Sequence, residues 1–332
     1  AASSATGYIG RHAFLTPSNG TVTVTGAGSS WTNLNGLHVG DSGTGVLTIA
    51  NGGAVSNTYS YIGHAGGSNG TVSVTGSTST WTNSNSLTVG YDGTGTLTIA
   101  DDGTVDVVDI VDIASNAGSI GTLNIGAASG DAAAGAGTLN AASLQFGSGT
   151  GEIVFNHDES AYVFAPVLAG GGTVRVEAGH TSLTGNNTYT GNTILSGGTL
   201  TLGHDNALGT STLTTTGSVV DYADGVNIGN AVVIDSNTTQ FQVLTGSATH
   251  SGVISEQNGP RPFKKIGAGE LILTNDNLWT GQTTVSEGTL TFDGGSADLS
   301  SNNLIVSDGN AAATLNIKNG GEVGNGYGLI GH

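Results

Sequence analysis

The feature that most constrains this chain is an internal repeat. The segment SNGTVTVTGAGSSWTNLNGLHVGDSGTGVLTIANGGAVSN, which begins at Ser18, aligns without gaps with SNGTVSVTGSTSTWTNSNSLTVGYDGTGTLTIADDGTVDV, which begins at Ser68. The period then halves, because a glycine followed by alternating apolar and polar residues recurs every 25 or 26 residues, at Gly20, Gly45, Gly70, Gly95 and Gly121. A unit of this length cannot bury its own apolar face, but a stack of such units can.

Each unit contains a strand pattern with one apolar face. After the repeated glycine, residues such as Leu97 and Ile99 alternate with Thr, Ser or Asn, and the two sets point to opposite sides of a strand. A second short segment ends in LHVG, YIGH or LTVG, and a third position carries Trp or Val. Stacked about 4.8 Å apart, such units place like residues above one another. We therefore predict an all-β fold, a right-handed parallel β-helix (a solenoid) with about 25 residues per coil.

An antiparallel sandwich or barrel is the alternative fold, since its strands also recur about every 8–12 residues. Such a fold does not require the same residue type at the same phase in successive units, whereas a β-helix does. Within the β-helix, we expect the repeated glycines at corners where the backbone needs a positive φ.

A second repeat type divides the chain further. LTGNNTYTGNTILSGGTLTLG, from Leu183, matches LTNDNLWTGQTTVSEGTLTFD, from Leu273. The sequence also returns to the first repeat type near its end, and both ends fall inside a repeat, so we expect a fragment of a longer rod. We predict four segments: regular coils with the double repeat over 1–126, less regular coils with longer loops over 127–182, coils of the second repeat type over 183–299, and a return to the first type, truncated mid-repeat, over 300–332.

Composition and charge exclude several classes of function. The chain has no Cys, so it forms no disulfide and no thiolate metal site. It has 24 acids against 6 Lys and Arg, and eleven of the acids but no Lys or Arg lie between Arg11 and Arg175. This charge excludes nucleic acid as a partner and disfavours sulfated glycans and anionic lipids. The longest apolar run, AYVFAPVLA, is too short for a membrane-spanning helix, so we expect no direct membrane insertion of this segment.

One motif matches the nucleophile signature of trypsin-like proteases. Residues 40–43 read GDSG, but the equivalent of Asp41 and Ser42 in the next repeat is Tyr91 and Asp92, which is typical of a variable turn. No histidine segment of the protease kind accompanies the motif, and a triad needs a histidine and an acid within reach. We expect a turn without catalytic function.

A run of acids could form a cation site. Ca²⁺ prefers about six to eight oxygen ligands, and the run contains no DxDxDG loop. A spacing of three also places Asp106 and Asp109 on opposite faces of a strand. We expect solvated acids on the outside of a coil: Asp101, Asp102, Asp106, Asp109 and Asp112.

The best local acid cluster comprises Glu152, Asp158 and Glu159, close in sequence to His157. Some β-helical proteins are polysaccharide lyases or hydrolases, and glycosidases need two carboxylates that face each other across a groove. A lyase would also use a basic residue against a uronate, and that half of the chain has none after Arg11. We therefore predict that the chain is not an enzyme, with no catalytic, cofactor or metal residues, and keep a β-helical polysaccharide-processing enzyme as the alternative.

The aromatic residues and histidines have two interpretations. Aromatic side chains recur at equivalent repeat positions, where they could stack on sugars or fill the core of each coil, and we expect the core: Trp31, Trp81, Tyr189 and Trp279. His38 and His64 lie near predicted strand ends without a spacing typical of metal ligands, so we expect surface or edge positions for both.

At this point the sequence resembles a known family. NGTVTVTGAGSSWTNLNGLHVGDSGTGVLTIANGG resembles the repeats of bacterial autotransporter passenger domains of the AIDA-like adhesin group. The two copies of the second repeat resemble the autotransporter-associated β-strand repeat. The resemblance covers 8–126, 170–203, 264–293 and 313–332. It implies a Gram-negative origin, display of a right-handed β-helix on the cell surface, and translocation by a C-terminal β-barrel that we expect to lie outside this chain.

The function that the resemblance implies is adhesion, autoaggregation and biofilm formation, through repetitive polar contacts of a surface-displayed or secreted passenger. We expect the partner to be another passenger, a host surface glycan or a matrix protein, and we expect no cofactor. No binding residues transfer by motif. A trimeric fibre of the phage tailspike type remains a further alternative, which a measurement of mass separates.

Overall fold

The computed structural model describes residues 2–11, 18–299, 302–309 and 311–331. These residues form strands and turns, and they contain no helix, and so none that could span a membrane. The chain divides into two compact units. The first runs to Gly179 and includes Tyr189–Gly191, and the second holds His180–Thr188 and continues from Asn192. The predicted all-β solenoid is confirmed in both units.

The first unit winds through three parallel sheets in turn. Their strand orders are β1-β4-β7-β10-β13-β16, β2-β5-β8-β11-β14-β17-β20 and β3-β6-β9-β12-β15-β18-β21. The strands of this unit are β1 (Ala2–Ser4), β2 (Gly7–Ile9), β3 (Asn19–Thr25), β4 (Ser30–Asn33), β5 (Gly36–Val39), β6 (Thr44–Ala50), β7 (Ala54–Asn57), β8 (Tyr59–Ile62), β9 (Asn69–Thr75), β10 (Thr80–Asn83), β11 (Leu87–Val89), β12 (Thr94–Ala100), β13 (Thr104–Val107), β14 (Ile110–Ile113), β15 (Ile120–Gly126), β16 (Thr138–Asn140), β17 (Ser143–Phe146), β18 (Thr150–Asn156), β19 (Tyr162–Phe164), β20 (Val167–Gly170) and β21 (Thr173–Ala178).

Stacking in register builds the core of the first unit. Leu47 pairs with Val72, Val72 with Leu97, and Leu97 with Leu123. All four side chains are fully buried. The interval between partners is the one that the repeat predicts, so the alternating pattern of each strand becomes one column of aliphatic side chains inside the coils. Thr and Ser between them remain on the outer face.

The repeated glycines serve a different purpose from the predicted one. The expectation of a positive φ is wrong for Gly45 and Gly95, which are absent from the positive-φ residues. A Cβ at Gly95 would instead lie 2.3 Å from the backbone N of Gly90. The positive φ belongs to the glycine that ends the preceding strand, such as Gly90 at 79°. The two glycines together let the chain turn tightly against the coil before it.

A column of buried asparagines lies on the first sheet of this unit. Asn57 pairs in register with Asn83, and both side chains are buried. The Asn57 amide donates to Asn83 Oδ1 at 2.6 Å and to Ser60 Oγ at 2.8 Å, and its Oδ1 accepts a hydrogen bond from Trp81 Nε1 at 2.9 Å. The column therefore satisfies the indole of a fully buried tryptophan.

The loop between β15 and β16 lengthens one coil, so that Val105 pairs with Leu139, 34 residues later. Glu177 holds this loop, accepting hydrogen bonds from Ser129 Oγ at 2.6 Å and from the Gly130 amide at 2.9 Å. The loop between β15 and β16 is therefore anchored by side-chain contacts.

The second unit has the same architecture with shorter coils. Leu200 pairs with Val220 and Val220 with Phe241, intervals of 20 and 21 residues. Its sheets have the orders β22-β24-β26-β29-β32-β35-β38-β41, β23-β25-β28-β31, β27-β30-β33-β36-β39 and β34-β37-β40. Its strands are β22 (His180–Leu183), β23 (Thr193–Leu195), β24 (Thr199–Leu202), β25 (Leu213–Thr215), β26 (Val219–Tyr222), β27 (Asn227–Ile228), β28 (Val232–Ile234), β29 (Gln240–Gln242), β30 (Ser247–His250), β31 (Ile254–Glu256), β32 (Phe263–Ile266), β33 (Glu270–Leu273), β34 (Asp276–Asn277), β35 (Thr283–Val285), β36 (Gly288–Asp293), β37 (Ser296–Asp298), β38 (Asn303–Val306), β39 (Ala313–Lys318), β40 (Glu322–Gly324) and β41 (Tyr327–Ile330).

The two copies of the second repeat occupy different faces of this unit. The GTLT segment of the first copy forms β24, in the sheet of β22, whereas that of the second forms β36, in the sheet of β27. Similar sequences therefore do not lie directly above one another, because the interval between the copies is not a whole number of the shortened coils.

The predicted core position of the repeated aromatic residues is confirmed for Trp81, Tyr189 and Trp279, which are fully buried. Trp31 is half-buried. In the second unit, Trp279 stacks on Phe263 with ring centroids 4.5 Å apart, and its Nε1 donates to Thr283 Oγ1 at 2.8 Å. The polar end of the indole is thus satisfied inside the core.

Candidate functional site

Chemistry-bearing side chains converge on the second sheet of the first unit. One column runs along the strands, where Tyr8 pairs in register with His38 and His38 with Tyr61. A second column stands three residues later in each coil, in the turn that follows the strand, and contains Arg11, Asp41, His64 and Tyr91.

The turn explains why these two columns meet. Gly40 follows the strand with a φ of 71°, and the next coil repeats this with Gly63 at 73°. Backbone hydrogen bonds from the His64 amide to Gly40 O and from the Ala65 amide to Asp41 O, both 2.9 Å long, hold the turns against each other. The reversal returns the side chain of each turn residue towards the strand column.

Asp41 lies between two histidines from neighbouring coils. Its Oδ1 is 3.0 Å from Nδ1 of His38 and 3.1 Å from Nδ1 of His64, and its Oδ2 is 3.7 Å from Nε of Arg11. Only 9% of the His38 side chain is exposed, against 34% for His64. We name His38, Asp41 and His64 the His–Asp–His cluster.

Burial and charge act on the protonation of the cluster in opposite directions. Burial lowers the pKa of His38 the most and the neighbouring His64 lowers it further, while Asp41 raises it. The net result is a lowered pKa, which favours the neutral imidazole.

Aromatic rings surround the cluster. His38 lies between Tyr8 and Tyr61, with ring centroids 4.9 and 5.1 Å away, and His64 stacks on Tyr91 at 5.5 Å. Burial, followed by the neighbouring tyrosines and Asp112, raises the pKa of Tyr61, which therefore keeps its hydroxyl proton at neutral pH. The rings thus pack against both imidazoles of the cluster.

The sequence missed this cluster. Within the described part of the chain, it is the only group of three or more His or acidic side chains whose ligand atoms all lie within 4.8 Å. The predicted surface or edge position is wrong for His38, which is buried on a strand. A signal was available, because LHVGD and SYIGH align at an offset of 23 residues, which places Asp41 and His64 at the same position of adjacent coils.

The GDSG motif forms the turn that follows β5, as the sequence predicts. No histidine segment of the protease kind accompanies the motif, but the structure brings His38 and His64 into contact with Asp41. In both contacts, Nδ1 of the histidine approaches the same oxygen, Oδ1 of Asp41.

The acid run around β13 and β14 has the predicted solvated character. Asp101 and Asp109 are exposed, and Asp106 is half-buried with a hydrogen bond from Asn140 Nδ2 at 2.8 Å. Burial and the charge of Asp109 raise the pKa of Asp112. These acids are solvated or singly paired.

In the second acid cluster, Glu152 forms an ion pair with Arg175. Glu152 Oε1 lies 2.9 Å from Arg175 Nε, and the same Nε lies 3.6 Å from Glu177. Asp158 and Glu159 are exposed. The arginine in the next coil thus neutralises the carboxylate that the enzyme alternative would use.

Comparison with known proteins agrees with the repeats. The family model of the passenger-associated transport repeat matches residues 169–202 and 263–292, which confirms the resemblance at the second repeat type. The uncharacterized lipoprotein YdeK of Escherichia coli strain K12 is 43% identical over 76 residues, which are 21% of this chain and 6% of that protein. The chain thus spans a small part of this relative's length. No solved structure matches significantly. The repeats and the solenoid fit a passenger-like repeat protein.

Proposed function

We propose that this chain is a segment of an autotransporter-like passenger, displayed at the bacterial surface, that acts in adhesion or autoaggregation. The passenger-associated repeats at 169–202 and 263–292 and the parallel β-solenoid support the passenger assignment. Membership of the AIDA-like group is part of the proposal and rests on the first repeat type, from Ser18 onward.

The observation that carries the adhesive function is a row of small polar side chains on the third sheet of the first unit, which contains β6, β9 and β12. Thr48, Ser73 and Thr98 stand in register on successive strands, on the opposite face from the aliphatic core. Neighbouring strands are about 4.8 Å apart, so the row offers hydroxyl groups at a constant interval. Many weak contacts of this kind add up by avidity when two such surfaces meet.

Charge sets the condition for this association. The chain has a net charge of −18, and the first unit has no Lys or Arg between Arg11 and Arg175. Two such surfaces repel each other at low ionic strength. At 0.1 M salt, the repulsion between charges more than about 10 Å apart is largely screened. We therefore expect self-association to strengthen as salt increases.

The test uses the purified chain and cells that display it. Sedimentation at increasing NaCl should show a growing share of dimers or larger species, and displaying cells should aggregate more than control cells. A Thr48→Asp, Thr98→Asp variant adds charge to the row and should reduce both effects, whereas Thr214→Asp in the second unit, also half-buried on a strand, should not. A chain that stays monomeric at every salt concentration and binds nothing on a glycan and matrix-protein array would contradict the adhesive function.

A further inference from the structure

Two observations on the His–Asp–His cluster point to a ligand bound by it. Nδ1 of His38 is buried and makes no hydrogen bond, although it lies 3.0 Å from Asp41 Oδ1. The two atoms are close but are not aligned as donor and acceptor. Meanwhile Oδ1 of Asp41 already contacts Nδ1 of His64 at 3.1 Å. A buried ring nitrogen without a hydrogen bond is energetically unfavourable.

Nitrogen and oxygen atoms that bind the same metal ion lie close together without being aligned as a hydrogen-bond donor and acceptor. Two ligand atoms that lie about 2.0–2.1 Å from an ion and 3.0–3.1 Å from each other subtend roughly 95° at it. This angle is typical of five- and six-coordinate sites. Lone pairs that converge on such a point do not point at each other, which accounts for the poor hydrogen-bond geometry of His38.

We propose that His38, Asp41 and His64 bind a divalent transition-metal ion of the Zn²⁺ class, through Nδ1 of both imidazoles and Oδ1 of the carboxylate. The donor set selects the ion. Two imidazoles and one carboxylate suit Zn²⁺, Cu²⁺ and Ni²⁺, whereas Ca²⁺ needs about six to eight oxygen ligands. The site extends beyond the adhesive function and does not depend on it.

Such an ion would connect two coils. His38 and Asp41 belong to one coil and His64 to the next, so the ion adds a link across the stack, beside the His64–Asp41 hydrogen bond, the backbone hydrogen bonds and the ring contacts that already join the two coils. A ligand that binds only the folded state stabilises it. Zn²⁺ should therefore raise the melting temperature of the chain.

The test is calorimetric titration of the full, untagged chain with Zn²⁺ after treatment with a chelator. We expect one saturable Zn²⁺ site per chain, and no heat with Ca²⁺ or Mg²⁺. Asp41→Asn, which is nearly isosteric, and His64→Ala, which removes a partly exposed ligand, should each weaken Zn²⁺ binding at least about tenfold. His204→Ala, a histidine of the second unit, is the matched control and should bind as the unchanged chain does.

Two further measurements keep the result decisive. Circular dichroism and the melting temperature without metal establish that each variant folds, and ¹⁵N NMR of the imidazoles should show Zn²⁺-dependent shifts at Nδ1 of His38 and His64. Absence of saturable Zn²⁺ binding would overturn the proposal. So would Zn²⁺ binding that is unchanged in both Asp41→Asn and His64→Ala, or Ca²⁺ binding of equal strength.

Discussion

The buried asparagine column makes a quantitative prediction about what holds neighbouring coils together. Asn57 donates to Asn83 Oδ1, Ser60 Oγ and Tyr59 O, and accepts from Trp81 Nε1. Substitution Asn57→Leu keeps a side chain of similar size but removes every one of these hydrogen bonds. Trp81 is fully buried, so its Nε1 would lose its acceptor without gaining water.

The cost follows from which groups are left without a partner. Asn83 Oδ1 keeps the hydrogen bond from Ser60 Oγ at 2.6 Å, so it is only partly affected. The indole N–H of Trp81 is orphaned, which costs about 1–3 kcal/mol, and the lost bond to Asn83 adds about 1 kcal/mol. We expect Asn57→Leu to lower the free energy of local unfolding by about 3 kcal/mol.

Native-state hydrogen exchange measures this free energy coil by coil, through the amides of β7 and β10. Asn85→Leu, at an exposed turn residue, is the matched control and should change protection by less than about 0.5 kcal/mol. In the double variant Asn57→Leu, Trp81→Phe, the indole donor that Asn57→Leu leaves without an acceptor is gone. The free-energy costs of the two single variants should therefore sum to about 1–3 kcal/mol more than the cost measured for the double variant. Additive costs, or a single-variant cost below about 1 kcal/mol, would refute the role of the column.

Three further predictions concern the core and the turns. Leu97→Ala removes a fully buried side chain and should cost about 3–5 kcal/mol in denaturant unfolding; a cost near zero would contradict the continuous core. Gly95→Ala places a Cβ 2.3 Å from backbone and should destabilise strongly, whereas Gly66→Ala, with no atom within 4 Å of its Cβ, should be neutral in the same melting assay. Burial lowers the pKa of Lys265 to about 8, against about 10.4 in the unfolded chain. The unfolded state then binds more protons between these values, so thermal stability should rise from pH about 8 to about 10, and Lys265→Met should abolish the rise.

The architecture was predictable because the period of the sequence and the period of the structure are the same in the first unit. Val72, Leu97 and Leu123 share one phase in the sequence and one column in the fold. Burial of the repeated tryptophan was predictable for the same reason. The role of the repeated glycine was not, because both a positive φ and a close backbone approach select glycine, and sequence cannot distinguish them.

The candidate site shows where sequence reasoning stops. His38 and Asp41 are three residues apart on a predicted strand end, which by strand geometry alone places them on opposite faces. Gly40 turns the backbone, and the stacking of coils brings His64 into contact with the same carboxylate. The cluster therefore depends on one local φ angle and one inter-coil register. The alignment of LHVGD with SYIGH indicates the register, whereas the φ angle comes only from the structure.

Lys265 is a second case of the same kind. It stands in the core column between Phe241 and Val285, where a charged residue is not expected. Its Nζ donates to the carbonyl oxygens of Gly267 at 2.7 Å and Glu287 at 3.2 Å, which belong to the turns of two coils. Gly267 is a near neighbour in sequence, but the Glu287 carbonyl belongs to the next coil and reaches Lys265 only in the folded chain.

Residue order alone is enough to establish an all-β solenoid, its coil length in the first unit and the residues of its core, since each of these depends on a local alternation that repeats at a constant interval. The faces that the two later repeat copies occupy depend on the number of residues in the coils between them. The burial of Lys265 and the convergence of His38, Asp41 and His64 depend on how neighbouring coils stack. Stacking places residues of different coils side by side, so these features exist only in the folded chain.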